Sequence, residues 1–218
     1  MKKRLIIGIL LLVILTTYKP QNFSLGSKFK IKEVIIENNF ILQEQELKKN
    51  LIFLYDSNLF FLKTNKIENI LVKKGFIESF EIKKIYPNKI KIKIFEKKPV
   101  AIIQNKKNKF YFTTSGDLIK YQNLENYNNL PMVFGNKENF TLLYDNLKQI
   151  NFSIDKIKRF YYFETKRWDL LTIDNQTIKL PSKNYLLSLK NFINLNSKKD
   201  FDKYKIFDYR IDDQLILK

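Results

Sequence analysis

The clearest hydrophobic pattern in the chain lies in YPNKIKIKIFEKKPVA, residues 86–101, where Ile90, Ile92 and Ile94 alternate with Lys89, Lys91 and Lys93. A period of two puts the isoleucines on one face and the lysines on the other, which predicts a strand half buried against a core. Pro87 and Asn88 read as a tight turn joining it to a second alternating run over 76–85, so the pair forms a hairpin. Pro99 then breaks the pattern. Upstream, 29–37 (FKIKEVIIE) alternates as a first strand, and Asn38 and Asn39 turn the chain. Leu47, Leu51 and Leu54, spaced four and three apart, predict an amphipathic helix of about three turns. No Ser, Thr, Asp or Asn stands before it as a cap. Thr64 caps a second helix that carries Ile67, Ile70 and Leu71 inward and ends at Gly75. Strand, helix, helix, strand, strand packs most simply as a three-stranded sheet covered on one face by two helices.

Beyond Pro99 the pattern predicts short strands at 100–103 and 110–113, and Ser115, Gly116 and Asp117 turn the chain into 118–121. Phe140, Leu143, Tyr144, Leu147 and Ile150 share one helical face. Strands recur at 157–164, 167–173 and 177–180, with turn chemistry at Asp174 and Asn175. Pro181 and Ser182 introduce a last helix with Leu186, Leu189 and Ile193 inward, and strands at 204–211 and 215–217 follow.

At the N-terminus Lys2, Lys3 and Arg4 precede an apolar run over 5–15, continued by Thr16, Thr17 and Tyr18. Fourteen helical residues cover roughly 21 Å, short of a hydrocarbon core of roughly 30 Å, and the length also suits the apolar region of a signal peptide. No small-x-small site follows the run, which favours an uncleaved anchor. The basic residues before it then place the N-terminus in the cytoplasm and the rest outside. The expected class is α+β: an N-terminal transmembrane helix, a β-α-α-β-β domain, and a β-rich domain with a mainly antiparallel sheet and flanking helices. The expected divisions are a tail at 1–4, an anchor at 5–19, a linker at 20–28, a first domain at 29–98 and a second at 99–218.

Composition narrows the function. The 218 residues carry a formal charge of +18, which suggests nucleic acid or an anionic surface. The only arginines, however, are Arg4, Arg159, Arg167 and Arg210, and many lysines alternate with isoleucine on what would be solvated faces. Arginine supplies most base-specific contacts, so a nucleic-acid surface is disfavoured. The chain has no cysteine and no histidine. That excludes disulfides, thiolate and histidine catalysis, and the usual zinc and copper sites. Gly8, Gly26, Gly75, Gly116 and Gly135 lie too far apart for a phosphate-cradling loop. No enzyme, cofactor or metal is expected.

NLFFLKT at 58–64, KKIYPNKIKIKIFEKKPVA at 83–101 and the single N-terminal apolar segment resemble the POTRA domain of the FtsQ/DivIB bacterial cell-division proteins. The Tyr86-Pro87-Asn88 turn and the exit Glu96-x-x-Pro99-Val100-Ala101 are its most specific parts. LPMVFG at 130–135 is similar to an element of the same family. KRWDL at 166–170, KLP at 179–181, and Asp208-x-Arg210 followed by DDQLIL at 212–217 resemble its C-terminal β-domain in the alphaproteobacterial version. Tyr209 departs from it, standing where an aliphatic residue is usual.

The resemblance implies a single-pass inner-membrane scaffold with periplasmic domains, without catalysis or cofactor. It would bind FtsB and FtsL, FtsB by strand addition to the C-terminal strands, and meet other divisome proteins through the POTRA domain in assembling the septal peptidoglycan machinery. The implied partner-binding residues are Arg167, Trp168, Asp208, Tyr209, Arg210, Ile211, Asp212, Gln214, Leu215, Ile216 and Leu217. On the residues alone, Trp168 equally reads as a core anchor, Asp208 and Arg210 as an ion pair, and the Ile-Lys hairpin as a solvated face. A POTRA-type secretion or assembly chaperone and a secreted basic binder of anionic polymers are the alternative functions.

Overall fold

The isoleucine-lysine alternation becomes β3 (Lys89–Glu96), with Ile90, Ile92 and Ile94 fully buried. The computed structural model describes residues 2–17, 28–106, 108–196, 201–211 and 214–218. It divides into two compact units, one gathering Met1–Leu71 and Phe80–Ile94, the other Val72–Ser79 and Phe95–Lys218.

In the first unit β1 (Glu33–Glu37) runs parallel to β3, with Val34 opposite Ile90 and Ile36 opposite Ile92. The hairpin partner β2 (Ile77–Ile85) completes a sheet of order β1-β3-β2. Between β1 and β2 come α2 (Glu44–Asn50), a 3-10 turn (Ile52–Asp56) and α3 (Asn65–Val72). Leu47, Leu51, Leu54, Leu59, Ile67 and Leu71 are buried with the isoleucines. The first strand is shorter than its pattern, because 29–31 is bonded elsewhere: Leu59 N–H donates to the Phe29 carbonyl at 2.8 Å and Ile31 N–H to that of Ser57 at 3.1 Å. The first helix is also cut short. The Gln43 side chain accepts no capping bond, and Leu51 leaves α geometry at φ −105°, ψ 15°.

The second unit is built on a nine-stranded sheet of order β12-β11-β10-β9-β8-β7-β4-β5-β6. Its strands are β4 (Pro99–Asn105), β5 (Asn108–Thr113), β6 (Leu118–Lys120), β7 (Met132–Phe134), β8 (Ile157–Tyr162), β9 (Trp168–Thr172), β10 (Thr177–Lys179), β11 (Ile206–Asp208) and β12 (Ile216–Leu217). The expectation of a mainly antiparallel sheet is corrected to a mixed one, since β4–β7, β7–β8 and β10–β11 pair parallel. The cause is local. A helix, α4 (Lys137–Gln149), carries the chain from β7 to β8, and α5 (Tyr185–Asn196) carries it from β10 to β11. A helical crossover returns the chain to the end where it started, so the strands it joins run parallel.

Asn136 caps α4, its side chain accepting from Asn139 N–H at 3.0 Å. The helix buries Phe140, Leu143, Tyr144 and Leu147 on the expected face. Phe140 is the centre of an aromatic web, 5.0 Å from Phe112 and 5.3 Å from Phe160 between ring centroids. The inward face of α5 is rotated from the expectation. Leu189 and Phe192 are buried, Leu186 only partly, and Ile193 is 37% exposed.

Both helices cover the same face of the sheet. The opposite face is closed near β6, where Tyr111 lies buried among Phe76, Tyr121 and Tyr127. Toward β12 that face carries partly exposed rings and charges.

The expected transmembrane helix over 5–19 is corrected to α1 (Lys2–Thr17), sixteen residues that extend about 24 Å. No helix among the described residues is long and apolar enough to cross a membrane. Residues 18 and 19 of that expectation, and the expected linker as far as residue 27, lie outside the described residues.

Candidate partner-binding surface

The edge strand β12 is held by a short ladder. Lys218 N–H donates to the Ile206 carbonyl at 3.1 Å, and the Lys218 carbonyl accepts from Ile206 at 2.9 Å and Lys205 at 2.6 Å. Antiparallel pairs alternate between bonded and non-bonded positions, so the neighbouring pair Phe207–Leu217 exchanges no bonds. The N–H and C=O of Leu217 therefore point out from the edge, where no strand among the described residues pairs with them.

Register builds a row across the open face beside this edge. Phe134 pairs with Tyr161, Tyr161 with Asp169, Asp169 with Lys179, Lys179 with Asp208, and Asp208 with Ile216. The Phe134 and Tyr161 rings stack 5.0 Å apart at 6°. The two acids are nearly withdrawn from water, the side chains of Asp169 and Asp208 each 12% exposed.

The two acids are held differently. Arg210 donates to Asp208 through Nε at 2.8 Å, Nη2 at 2.6 Å and its backbone N–H at 3.1 Å. These bonds stabilise the ionised carboxylate and hold Asp208 below its ordinary range against the opposing effect of burial. Asp169 is pushed up instead, because burial outweighs the attraction of Arg167. The Nε of Arg167 lies 3.7 Å from Asp169 Oδ1, too far for a hydrogen bond, and both atoms are buried without a hydrogen-bond partner. The Arg167 guanidinium instead lies over the Phe163 ring, 4.7 Å from its centroid. Arg167 and Asp169 are therefore coupled by charge without a hydrogen bond between them.

Several residues expected at the site lie together here: Arg167, Asp208 and Arg210 on the open face, and Ile216 with them at 37% exposure. Leu215 and Leu217 pack partly against the core from the edge strand's other side. Trp168 and Tyr209 turn the opposite way. Trp168 is 5% exposed and packs 3.3 Å from where a Cβ on Gly135 would stand, with Tyr162 Cβ at 3.0 Å, so a side chain there would crowd both. Tyr209 is buried, its hydroxyl donating to Asn191 Oδ1 at 3.0 Å, and burial pushes its phenol far above the usual range.

Ile211, 51% exposed, lines a groove of about 720 Å³ with Gln214, Leu215 and Tyr209 on one wall and Leu187 and Asn191 of α5 on the other. Asp212 lies outside the described residues. Asp169, Lys179 and the α5 wall were missed by sequence reasoning. Asp169 alternates with Trp168, which places it on the face opposite the core, but its nearness to Asp208 follows only from strand order. No cluster of His, Cys, Asp or Glu among the described residues is placed to hold a metal ion.

Comparison with known proteins agrees with this architecture. Residues 29–97 match the family described as POTRA domain, FtsQ-type, and residues 101–210 the family described as Cell division protein FtsQ/DivIB, C-terminal. The chain is 32% identical over 187 residues to Cell division protein FtsQ of Rickettsia conorii, covering 84% of this chain and 69% of that protein. It is 30% identical over 186 residues to FtsQ of Rickettsia typhi, covering 84% and 70%. Cell division protein DivIB of Clostridium acetobutylicum is 27% identical over 92 residues, 42% of this chain and 37% of that one. Among solved structures, the major extracytoplasmic domain of DivIB from Geobacillus stearothermophilus overlaps 49% of this chain and 96% of its own, with 11% identity and a TM-score of 0.36.

A POTRA domain followed by this β-rich domain defines a class of non-enzymatic cell-division scaffold. The chain belongs to the FtsQ/DivIB family of cell division proteins.

Proposed function

We propose that the chain is a bitopic inner-membrane scaffold, with its N-terminus in the cytoplasm and both domains in the periplasm. It binds FtsB there by adding a strand to β12, and FtsL joins the complex. The observation that carries this reading is the unpaired edge at Leu217, flanked by the Arg210–Asp208 pair and the open face that continues to Arg167. Backbone groups of an edge strand supply affinity, and side chains to either side supply register. An incoming strand alternates its side chains between the open face, where Arg210 attracts acidic groups, and the groove beside α5, which accepts apolar ones. Trp168 and Tyr209 support the site from within the core. FtsB and FtsL binding helps assemble the machinery of septal peptidoglycan synthesis, and α1 tethers the scaffold, its short apolar length met by local bilayer thinning.

The test is capture of FtsB and FtsL homologues by tagged full-length protein extracted from native membranes. Leu217→Pro removes the one outward N–H, and Ile211→Glu places a charge in the groove. Both should abolish capture while circular dichroism stays unchanged, and Arg210→Glu should abolish it with some loss of stability. Capture that survives all three disproves the assignment of the site. Alkaline carbonate extraction and protease protection in spheroplasts test anchor and orientation separately.

A further inference from the structure

Residues 58–62 turn one apolar side chain inward and two outward. Leu59 is fully buried, whereas Phe60 and Phe61 are 57% and 72% exposed. Their rings belong to a cluster. Phe60 lies 5.1 Å from Phe61 and 6.0 Å from Phe29, and Phe29 lies 6.1 Å from Tyr86, which is 54% exposed. The backbone brings these segments together. The 57–59 stretch bonds to 29–31, and Lys32 N–H donates to the Asn88 carbonyl at 2.8 Å, just past the Tyr86-Pro87 turn. Four rings from three separate segments thus meet at one end of the small sheet, where β1 and β3 begin and β2 finishes. Lysines surround them. Lys28 and Lys30 flank Phe29, Lys30 also reaching the exposed Asp56 at 3.5 Å; Lys63 is exposed beyond Leu62, and the Lys84 ammonium donates to the Leu62 carbonyl at 2.7 Å.

We infer that this aromatic end is a membrane-docking face, seated at the boundary between headgroups and acyl chains of an anionic bilayer. The inference rests on the bitopic reading above. Two observations select a lipid surface as its occupant. Exposed aromatic rings bordered by lysines are the chemistry that suits a bilayer interface, with rings at headgroup depth and ammonium groups on phosphates. The tether also ends here: α1 stops at Thr17 and the first described residue of the domain is Lys28. The intervening residues, 18–27, reach at most about 40 Å when extended. The aromatic end is where that tether joins the domain, so the face is delivered to the surface by the connection itself.

The absence of cysteine makes a single introduced cysteine a unique spin-label site. Full-length protein is reconstituted in vesicles of phosphatidylethanolamine and phosphatidylglycerol, labelled in turn at Phe61→Cys, Glu78→Cys and Leu10→Cys. Glu78 lies on the same strand as Ile85 but about 23 Å from it. Collision rates with oxygen and with a water-soluble nickel chelate give depth. The docking face predicts several-fold less nickel-chelate access at position 61 than at 78, and recovery of access at 61 when Phe60→Ser and Tyr86→Ser are added. Equal access at 61 and 78, with position 10 shielded, overturns the docking face and leaves the anchor standing. Shielding at 61 with position 10 open to the chelate overturns the anchor and keeps the face. Shielding at 61 that persists in the double serine variant overturns the assignment to these rings.

Discussion

Each of the two sheets has a charged face, and the two faces are built to different rules. On the small sheet, Lys89 pairs with Glu33 at 2.6 Å and Lys91 with Glu37 at 2.7 Å, with all four side chains between 34% and 48% exposed. Such pairs are screened by water and contribute little. On the large sheet the acids are nearly withdrawn from water; the planar fork of Arg210 fixes Asp208 in geometry as well as charge, whereas Arg167 stands 3.7 Å from Asp169 without a hydrogen bond. The first face keeps a strand soluble. The second holds one carboxylate in a fixed geometry, the arrangement on which the proposed partner surface rests.

Four substitutions test that contrast, from the largest expected effect downward. Phe140→Ala, on the covered side of the large sheet, should cost about 3–5 kcal/mol in chemical denaturation, setting the scale of true core loss. Asp208→Ala should cost about 1–2 kcal/mol at neutral pH, because a partly exposed Arg210 loses a bidentate carboxylate. A depressed carboxylate stabilises the fold above its ordinary pKa and loses that contribution as pH falls through its folded value. The gap between Asp208→Ala and the native chain should therefore close below about pH 4. If the gap is independent of pH, the ion pair is not its source.

Asp169→Asn should act in the opposite direction, raising stability by up to about 1 kcal/mol at pH 7, because burial disfavours the charged form there. Its folded pKa is raised, so the native chain regains stability as pH falls through that value toward the ordinary pKa. The advantage of asparagine should fade over that window, and a loss of stability at pH 7 would mean that Arg167 compensates the buried charge after all. Lys89→Gln should change stability by less than about 0.5 kcal/mol. A larger loss there would erase the distinction between the two faces.

What could be read from the chain follows the range of the interactions. The β3 alternation and the α4 face are local periodicities, and both appear where the pattern places them. The phase of α5 did not, since Phe192 and Ile193 are both apolar neighbours and only the sheet beneath selects between them. Parallel pairing of β1 with β3 and of β10 with β11 joins segments far apart in sequence, and no local pattern encodes their neighbours. The same limit divides the site. Asp208 and Arg210 are two residues apart on one face and were legible, whereas Asp169 and Lys179 reach them only through strand order. Tyr209, a departure in sequence, is accounted for by Asn191, which gives a buried phenol its partner.

The position of β12 has a consequence for timing. Its residues follow those of the other eight described strands of the sheet, so during synthesis the edge is completed after them. A chain that stops between residues 208 and 216 carries both helical crossovers and the other eight strands, and offers β11 where the edge should be. On the proposed reading, a copy without β12 presents β11 instead and lacks the edge to which the partner strand would be added.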